Sequence, residues 1–100
     1  MKMKAVLILL LTTIPIILSA QVRSVSGVVQ DAETGEFIPG VNVIVKNTNT
    51  GTVSDLDGSY SVDVPADANV LVFSFIGYSA VEETIGNRST IDVSLASEAG

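Results

Sequence analysis

Behind its first twenty residues the chain alternates apolar and polar positions in short runs. Ser59 to Val64 is the cleanest case, with Tyr60, Val62 and Val64 on one side and Ser59, Ser61 and Asp63 on the other. A period of two is the signature of a strand with one buried and one wet face. Thr90 to Leu95 repeats it with Ile91, Val93 and Leu95 inward. Further runs are Val22 to Gln30, Val41 to Lys46, Thr52 to Asp55, Asn69 to Ile76 and Tyr78 to Ile85. Asn69 to Ile76 is apolar on both sides, with Leu71, Phe73 and Phe75 against Val70, Val72 and Ile76, so it is expected in the middle of a sheet or with one face covered by a neighbour. No segment holds apolar residues at helical spacing over three turns.

The breaks between runs carry turn chemistry. Gly35 ends the stretch Asp31 to Glu36, Pro39 and Gly40 open the second run, Asp57-Gly58 precedes the fourth, and Gly77 interrupts before Tyr78. Glycine admits positive φ, Asp bonds the backbone beyond it, and proline lacks the N–H that a strand interior needs. Pro65 to Ala68 and Gly86-Asn87 supply the remaining breaks. These runs predict an all-β fold: a small antiparallel β-sandwich of about seven strands, its two sheets about 10 Å apart.

The first twenty residues follow another rule. Lys2 and Lys4 precede an uncharged stretch, Ala5 to Leu18, and Ser19-Ala20 offers small residues before Gln21. That is the order of a cleaved signal peptide over 1–20. Fourteen helical residues reach only about 21 Å, short of a hydrocarbon core of about 30 Å, so no span is expected once the signal is removed. Removal of Lys2 and Lys4 takes the formal charge from −6 to −8 and leaves 80 of the 100 residues. One domain is expected over 21–95, with 96–100 as linker or frayed end. The acidity argues against nucleic acid as a partner.

Composition narrows the chemistry further. The chain has no histidine and no cysteine. Histidine-assisted nucleophiles, cysteine nucleophiles, disulfides and zinc or copper sites built on these residues are excluded. Oxygen-ligand metals remain, and the weak calcium candidate is Asp55-Leu56-Asp57-Gly58. An EF-hand would continue to a bidentate glutamate between helices, whereas strands flank this segment. A turn capped by Asp with Gly58 at positive φ is the simpler expectation. Glu82 and Glu83 are adjacent on one strand and face opposite ways, so they are expected to mark an edge strand rather than a catalytic pair. Asn87-Arg88-Ser89 reads as a plain turn. Phe73, Phe75 and Tyr60 are expected in the core, and Tyr78 is expected to present its hydroxyl at a surface. No cofactor and no catalytic residue is expected.

The turn residues also carry a resemblance. Val25-Ser26-Gly27-Val28-Val29 with Asp31 and Thr34-Gly35-Glu36, then Ile38-Pro39-Gly40-Val41-Asn42-Val43, resemble the opening of the carboxypeptidase-regulatory-like domain. Gly51-Thr52, Ser54 to Tyr60 and Phe73-Ser74-Phe75-Ile76-Gly77-Tyr78 resemble its later motifs, in family order. The resemblance implies a transthyretin-like (prealbumin-like) sandwich in which Gly35, Pro39, Gly40, Asp55, Asp57, Gly58 and Gly77 are structural turn residues. In this sequence style such domains head SusC/RagA-type TonB-dependent outer-membrane receptors, which import glycans or peptides. The implied role is that of a non-catalytic periplasmic accessory domain on a truncated or fragmentary chain. The implied partners are envelope proteins, the TonB system or a surface lipoprotein, reached through a downstream barrel. A stand-alone exported glycan- or protein-binding module is the alternative expectation, and an accessory domain of a secreted hydrolase is a third.

Overall fold

The computed structural model describes residues 22–98. The expected signal peptide and residues 99 and 100 lie outside the described residues. Seven strands follow one another: β1 (Val22–Asp31), β2 (Asn42–Val45), β3 (Gly51–Val53), β4 (Ser59–Pro65), β5 (Val70–Ser74), β6 (Val81–Thr84) and β7 (Val93–Leu95). They form a three-stranded sheet in the order β4-β1-β7 and a four-stranded sheet in the order β3-β2-β5-β6.

The alternation explains why the sheets stack. Val25 and Val29 of β1, Tyr60, Val62 and Val64 of β4, and Val93 and Leu95 of β7 are buried from one side. Val43 and Val45 of β2 with Leu71 and Phe73 of β5 are buried from the other. Tyr60 and Phe73 meet edge to face across the core, centroids 5.3 Å apart at 75°, a geometry that pairs the positive ring edge with the negative ring face. Burial of a side chain of this kind stabilises by about 1.5–3 kcal/mol. This sandwich carries no disulfide, so such burial is its main source of stability.

The doubly apolar β5 does sit centrally, between β2 and β6. It stops at Ser74, however, because Phe75 to Tyr78 form a turn closed by the Tyr78 N–H on the Phe75 carbonyl at 3.0 Å. Ile76 is therefore left 88% exposed rather than in a strand. The third run is also shorter than its pattern. The regular pairing ends at Val53 because the Ser54 hydroxyl turns inward, accepting from the Val41 N–H at 2.9 Å and donating to the Ile38 carbonyl at 2.8 Å. The Ser54 N–H still bonds the Val41 carbonyl and its own carbonyl takes the Gly40 N–H, each at 3.0 Å.

One pairing departs from the antiparallel expectation: β1 and β7 run parallel, Val29 opposite Val93 and Asp31 opposite Leu95. The last strand arrives from β6 in the opposite sheet, and such a crossover permits the parallel direction. Its approach depends on Gly27. A Cβ there would lie 1.9 Å from the Ile91 carbonyl oxygen, so only glycine lets the two backbones come this close. The Ile91 N–H then bonds the Ser26 carbonyl at 2.8 Å, and the Tyr60 hydroxyl donates to the Ile91 carbonyl at 2.6 Å.

The tail after β7 needs a correction. Residues 96–98 carry no apolar pattern, yet they are tied down through their backbone. The Ser79 N–H bonds the Ala96 carbonyl and the Glu98 N–H bonds the Gly77 carbonyl, each at 2.9 Å. Main-chain bonds need no side-chain periodicity, so this stretch gave no local signal.

Candidate interaction surface

The turn residues singled out in sequence are brought to one end of the sandwich. The registers fix this. Val28 faces Ser59, Asn42 faces both Val53 and Ser74, Phe73 faces Val81, and Asp31 faces Leu95. The segments 31–40, 54–58, 75–79 and 95–98 therefore share a pole. The opposite pole holds 46–50, 65–69 and 85–89.

Each turn at the shared pole has a local cause. Asp31 Oδ1 accepts from the Glu33 N–H at 2.7 Å and the Thr34 N–H at 3.0 Å, and Gly35 follows with φ of 76°. Asp57 Oδ1 accepts from the Ser59 hydroxyl at 2.6 Å and the Ser59 N–H at 3.2 Å. The Gly58 N–H closes that turn on the Asp55 carbonyl at 2.9 Å. Gly58 has φ of 77°, and a Cβ there would come within 2.8 Å of both Phe37 Cβ and the Val29 carbonyl oxygen. Gly40 (φ 80°) lies against Phe75, exposed Pro39 precedes it, and Gly77 (φ 89°) closes the last turn.

A polar link joins the two sheets at this pole. The Tyr78 hydroxyl donates to Asp31 Oδ2 at 2.7 Å, with both side chains half-buried. That bond, with those from Thr34 and Glu33, holds the Asp31 carboxyl below its ordinary value. The same bond raises the Tyr78 hydroxyl. The hydroxyl of Ser59 and its N–H likewise lower Asp57. The Asp57 carboxylate is thus occupied in capping its own turn. Among the described residues no three His, Cys, Asp or Glu side chains converge as a metal would need.

Glu82 and Glu83 do lie on an edge strand, β6, and face opposite ways. Glu82 meets Lys46 Nζ at 3.0 Å across β5, and Glu83 takes Arg88 Nη2 at 3.1 Å. Arg88 also donates to the Thr84 carbonyl. Both ion pairs are well exposed and contribute little to stability. They matter by their position, because Arg23, Lys46 and Arg88, the basic side chains of the described residues, all lie toward the far pole. Arg23 bonds the Gly86 carbonyl there at 2.7 Å.

The shared pole consequently carries Asp31, Glu33, Glu36, Asp55, Asp57 and Glu98 and no cation. Among these carboxylates stand three large apolar side chains: Phe37, 54% exposed, Leu56, 91%, and Ile76, 88%. Val53, 52% exposed, leads into the same end from β3. Sequence reasoning treated these turns as architecture and missed this surface. Only Leu56, apolar between two aspartates in a turn, was a local hint.

Comparison with known proteins gives the surface its context. The family model for the CarboxypepD_reg-like domain matches residues 25–99. TonB-dependent receptor P3 of Formosa agariphila is 40% identical over 94 residues, 94% of this chain and 9% of the receptor. TonB-dependent receptor P39 of the same organism is 52% identical over 66 residues, 66% of this chain and 6% of the receptor. TonB-dependent receptor SusC of Bacteroides thetaiotaomicron is 40% identical over 72 residues, 72% of this chain and 7% of the receptor. The chain thus spans less than a tenth of the length of each of these relatives.

Proposed function

The chain belongs to the CarboxypepD_reg-like domain family, and we propose that it serves as the N-terminal accessory domain of a SusC/RagA-type TonB-dependent receptor for nutrient uptake. The observation that carries this reading is the similarity itself: identity of 40% or more to three receptors, confined to less than a tenth of their length. In this reading the chain is part of a longer protein. Residues 1–20 direct export, the domain runs from 21 through the bonded stretch 96–98, and it stands on the periplasmic face of the outer membrane.

Its role there is non-catalytic. The inward hydroxyls are committed to structure: Tyr60 to Ile91, Tyr78 to Asp31, and Ser54 to Val41 and Ile38. What is offered outward is a rigid pole of carboxylates and apolar side chains, suited to holding another envelope protein. Such a domain works by binding and orientation, with the barrel and its TonB contact supplied by the remaining receptor.

The test is the size and place of the native product. An antibody against Gln21 to Gly100 is used on separated periplasmic and outer-membrane fractions. A band many times larger than this chain in the outer membrane is expected. A soluble periplasmic band at the size of the mature chain overturns the receptor reading and leaves an independent exported binding module.

A further inference from the structure

The four sheet edges of the sandwich are not equally defended. β6 carries the inward-facing Glu83 with its Arg88 partner, and Glu82 on its outer face. β4 carries Asp63 and ends in Pro65, which has no N–H. β7 is three residues long, and the side chain of Asp92 just before it folds back to accept the Val28 N–H at 3.0 Å. Charges, prolines and short lengths of this kind discourage a foreign strand from pairing. β3, at the outer edge of the four-stranded sheet, is short as well, but Thr50 to Ser54 contains neither charge nor proline.

The register shows what β3 offers. The Val45 N–H bonds the Thr50 carbonyl at 2.9 Å and the Ser54 N–H bonds the Val41 carbonyl at 3.0 Å, while Val43 faces Thr52. In an antiparallel ladder the bonded pairs recur every second residue, so Thr52 directs its N–H and carbonyl toward β2. Gly51 and Val53 direct theirs away from β2, to the side on which no strand is hydrogen-bonded to β3. Their side-chain positions fall on the outer face beside Ile44 and Val72. Gly51 leaves that edge low: a Cβ there would sit 2.7 Å from Ile44 Cδ1. Beyond Val53 come exposed Leu56 and the carboxylates of Asp55 and Asp57.

We propose that β3 is a strand-acceptor site for an extended, basic segment of a partner protein, which pairs with Gly51 and Val53 and seats its apolar side chains on Ile44, Val53 and Leu56. Charge decides the occupant. The domain is acidic and concentrates carboxylates at this end, while its nearest cation, Lys46, is drawn to Glu82. A cationic strand gains from Asp55 and Asp57, whereas a second copy of this chain brings the same carboxylates against them. Main-chain bonds give such an added strand its affinity and alternate side chains its specificity. This inference deepens the binding role proposed above and rests on it for the existence of a partner in the envelope. Its test needs only the chain itself, so failure here leaves the receptor reading standing.

The experiment is amide hydrogen exchange by NMR on the isotope-labelled chain recovered from the periplasm of an exporting host. The probe is a synthetic peptide of alternating lysine and valine, with the glutamate–valine peptide as its counterpart. The lysine peptide is expected to slow exchange at Gly51 and Val53 by about ten-fold or more while the β4, β6 and β7 edges stay unchanged. The glutamate peptide leaves all edges unchanged. Val53→Pro removes an edge N–H and abolishes binding, and Val53→Lys, which keeps every bond to β2, does the same by repulsion. Asp55→Asn weakens binding two- to three-fold by about the amount expected of one screened charge. Protection at another edge, equal protection by the glutamate peptide, or no protection at Gly51 and Val53 overturns the proposal. So does protection that rises with protein concentration before peptide is added, which assigns the edge to a second copy.

Discussion

Ser54→Ala is the most informative single substitution in this domain. Ser54 is 6% exposed, and its hydroxyl serves two backbone groups in the core, the Val41 N–H at 2.9 Å and the Ile38 carbonyl at 2.8 Å. Val41 is 0% and Ile38 6% exposed, so water has little access to either group once the hydroxyl is gone. A buried polar group left without a partner costs about 1–3 kcal/mol. Two orphans sharing one local relaxation give an expected loss of about 2–4 kcal/mol, a large part of the 5–15 kcal/mol typical of a whole domain. Urea unfolding followed by circular dichroism measures it. With a slope of about 1 kcal/mol/M for so small a domain, the midpoint should fall by roughly 2–4 M. Ser61→Ala is the control, because Ser61 is exposed and its hydroxyl meets only that of Ser24 at 3.3 Å. It should stay within about 0.5 kcal/mol of the parent. A loss below about 0.5 kcal/mol for Ser54→Ala would refute the argument, since it would mean both backbone groups find other partners at no cost.

Three further outcomes follow from the same geometry. Gly27→Ala places a Cβ 1.9 Å from the Ile91 carbonyl oxygen, a backbone atom, so a loss beyond about 4 kcal/mol is expected in urea unfolding; Gly35→Ala, with φ of 76° but no atom within 4 Å, should lose only about 1–2 kcal/mol. At alkaline pH, burial and then Asp92 push the Tyr60 hydroxyl from 10.0 up to about 12. The folded state therefore holds its proton longer than the unfolded one, and this contribution to stability is full below pH 10 and lost as pH rises toward about 12. Tyr60→Phe should flatten that limb in a pH series of urea midpoints, and an unchanged slope would sink the assignment. At acid pH, Asp31 is lowered from 3.8 by Tyr78 first, then by Thr34 and Glu33, so its contribution is present above that value and lost as pH falls through the depressed one. Asp31→Asn should make stability less steep in pH below about 4, and a slope as steep as the parent's would count against the Tyr78–Asp31 link.

Much of the architecture was legible because strand formation is recorded locally. Tyr60, Val62 and Val64, and Ile91, Val93 and Leu95, are the inward sets that alternation named, and all six are buried. β5 is central as its two apolar faces required, and β6 is an edge as Glu82 and Glu83 suggested. What local pattern did not show were distant partners: the Ser54 hydroxyl serves Val41 and Ile38, and the Tyr78 hydroxyl bonds an aspartate 47 residues earlier.

By itself, then, the order of residues determined the fold class, the faces of the strands, the place of the turns and, through its motifs, the family. Tertiary structure alone decided that β7 joins β1 in parallel over Gly27, and that all the motif turns meet at one acidic, apolar pole with the cations at the other. The division has a physical reason. Alternation and turn propensity act over a few neighbouring residues, so the chain displays them directly. Close approach, edge exposure and the grouping of charges depend on which strands lie side by side, a property of pairs far apart in sequence and fixed only when the sheets assemble around their core.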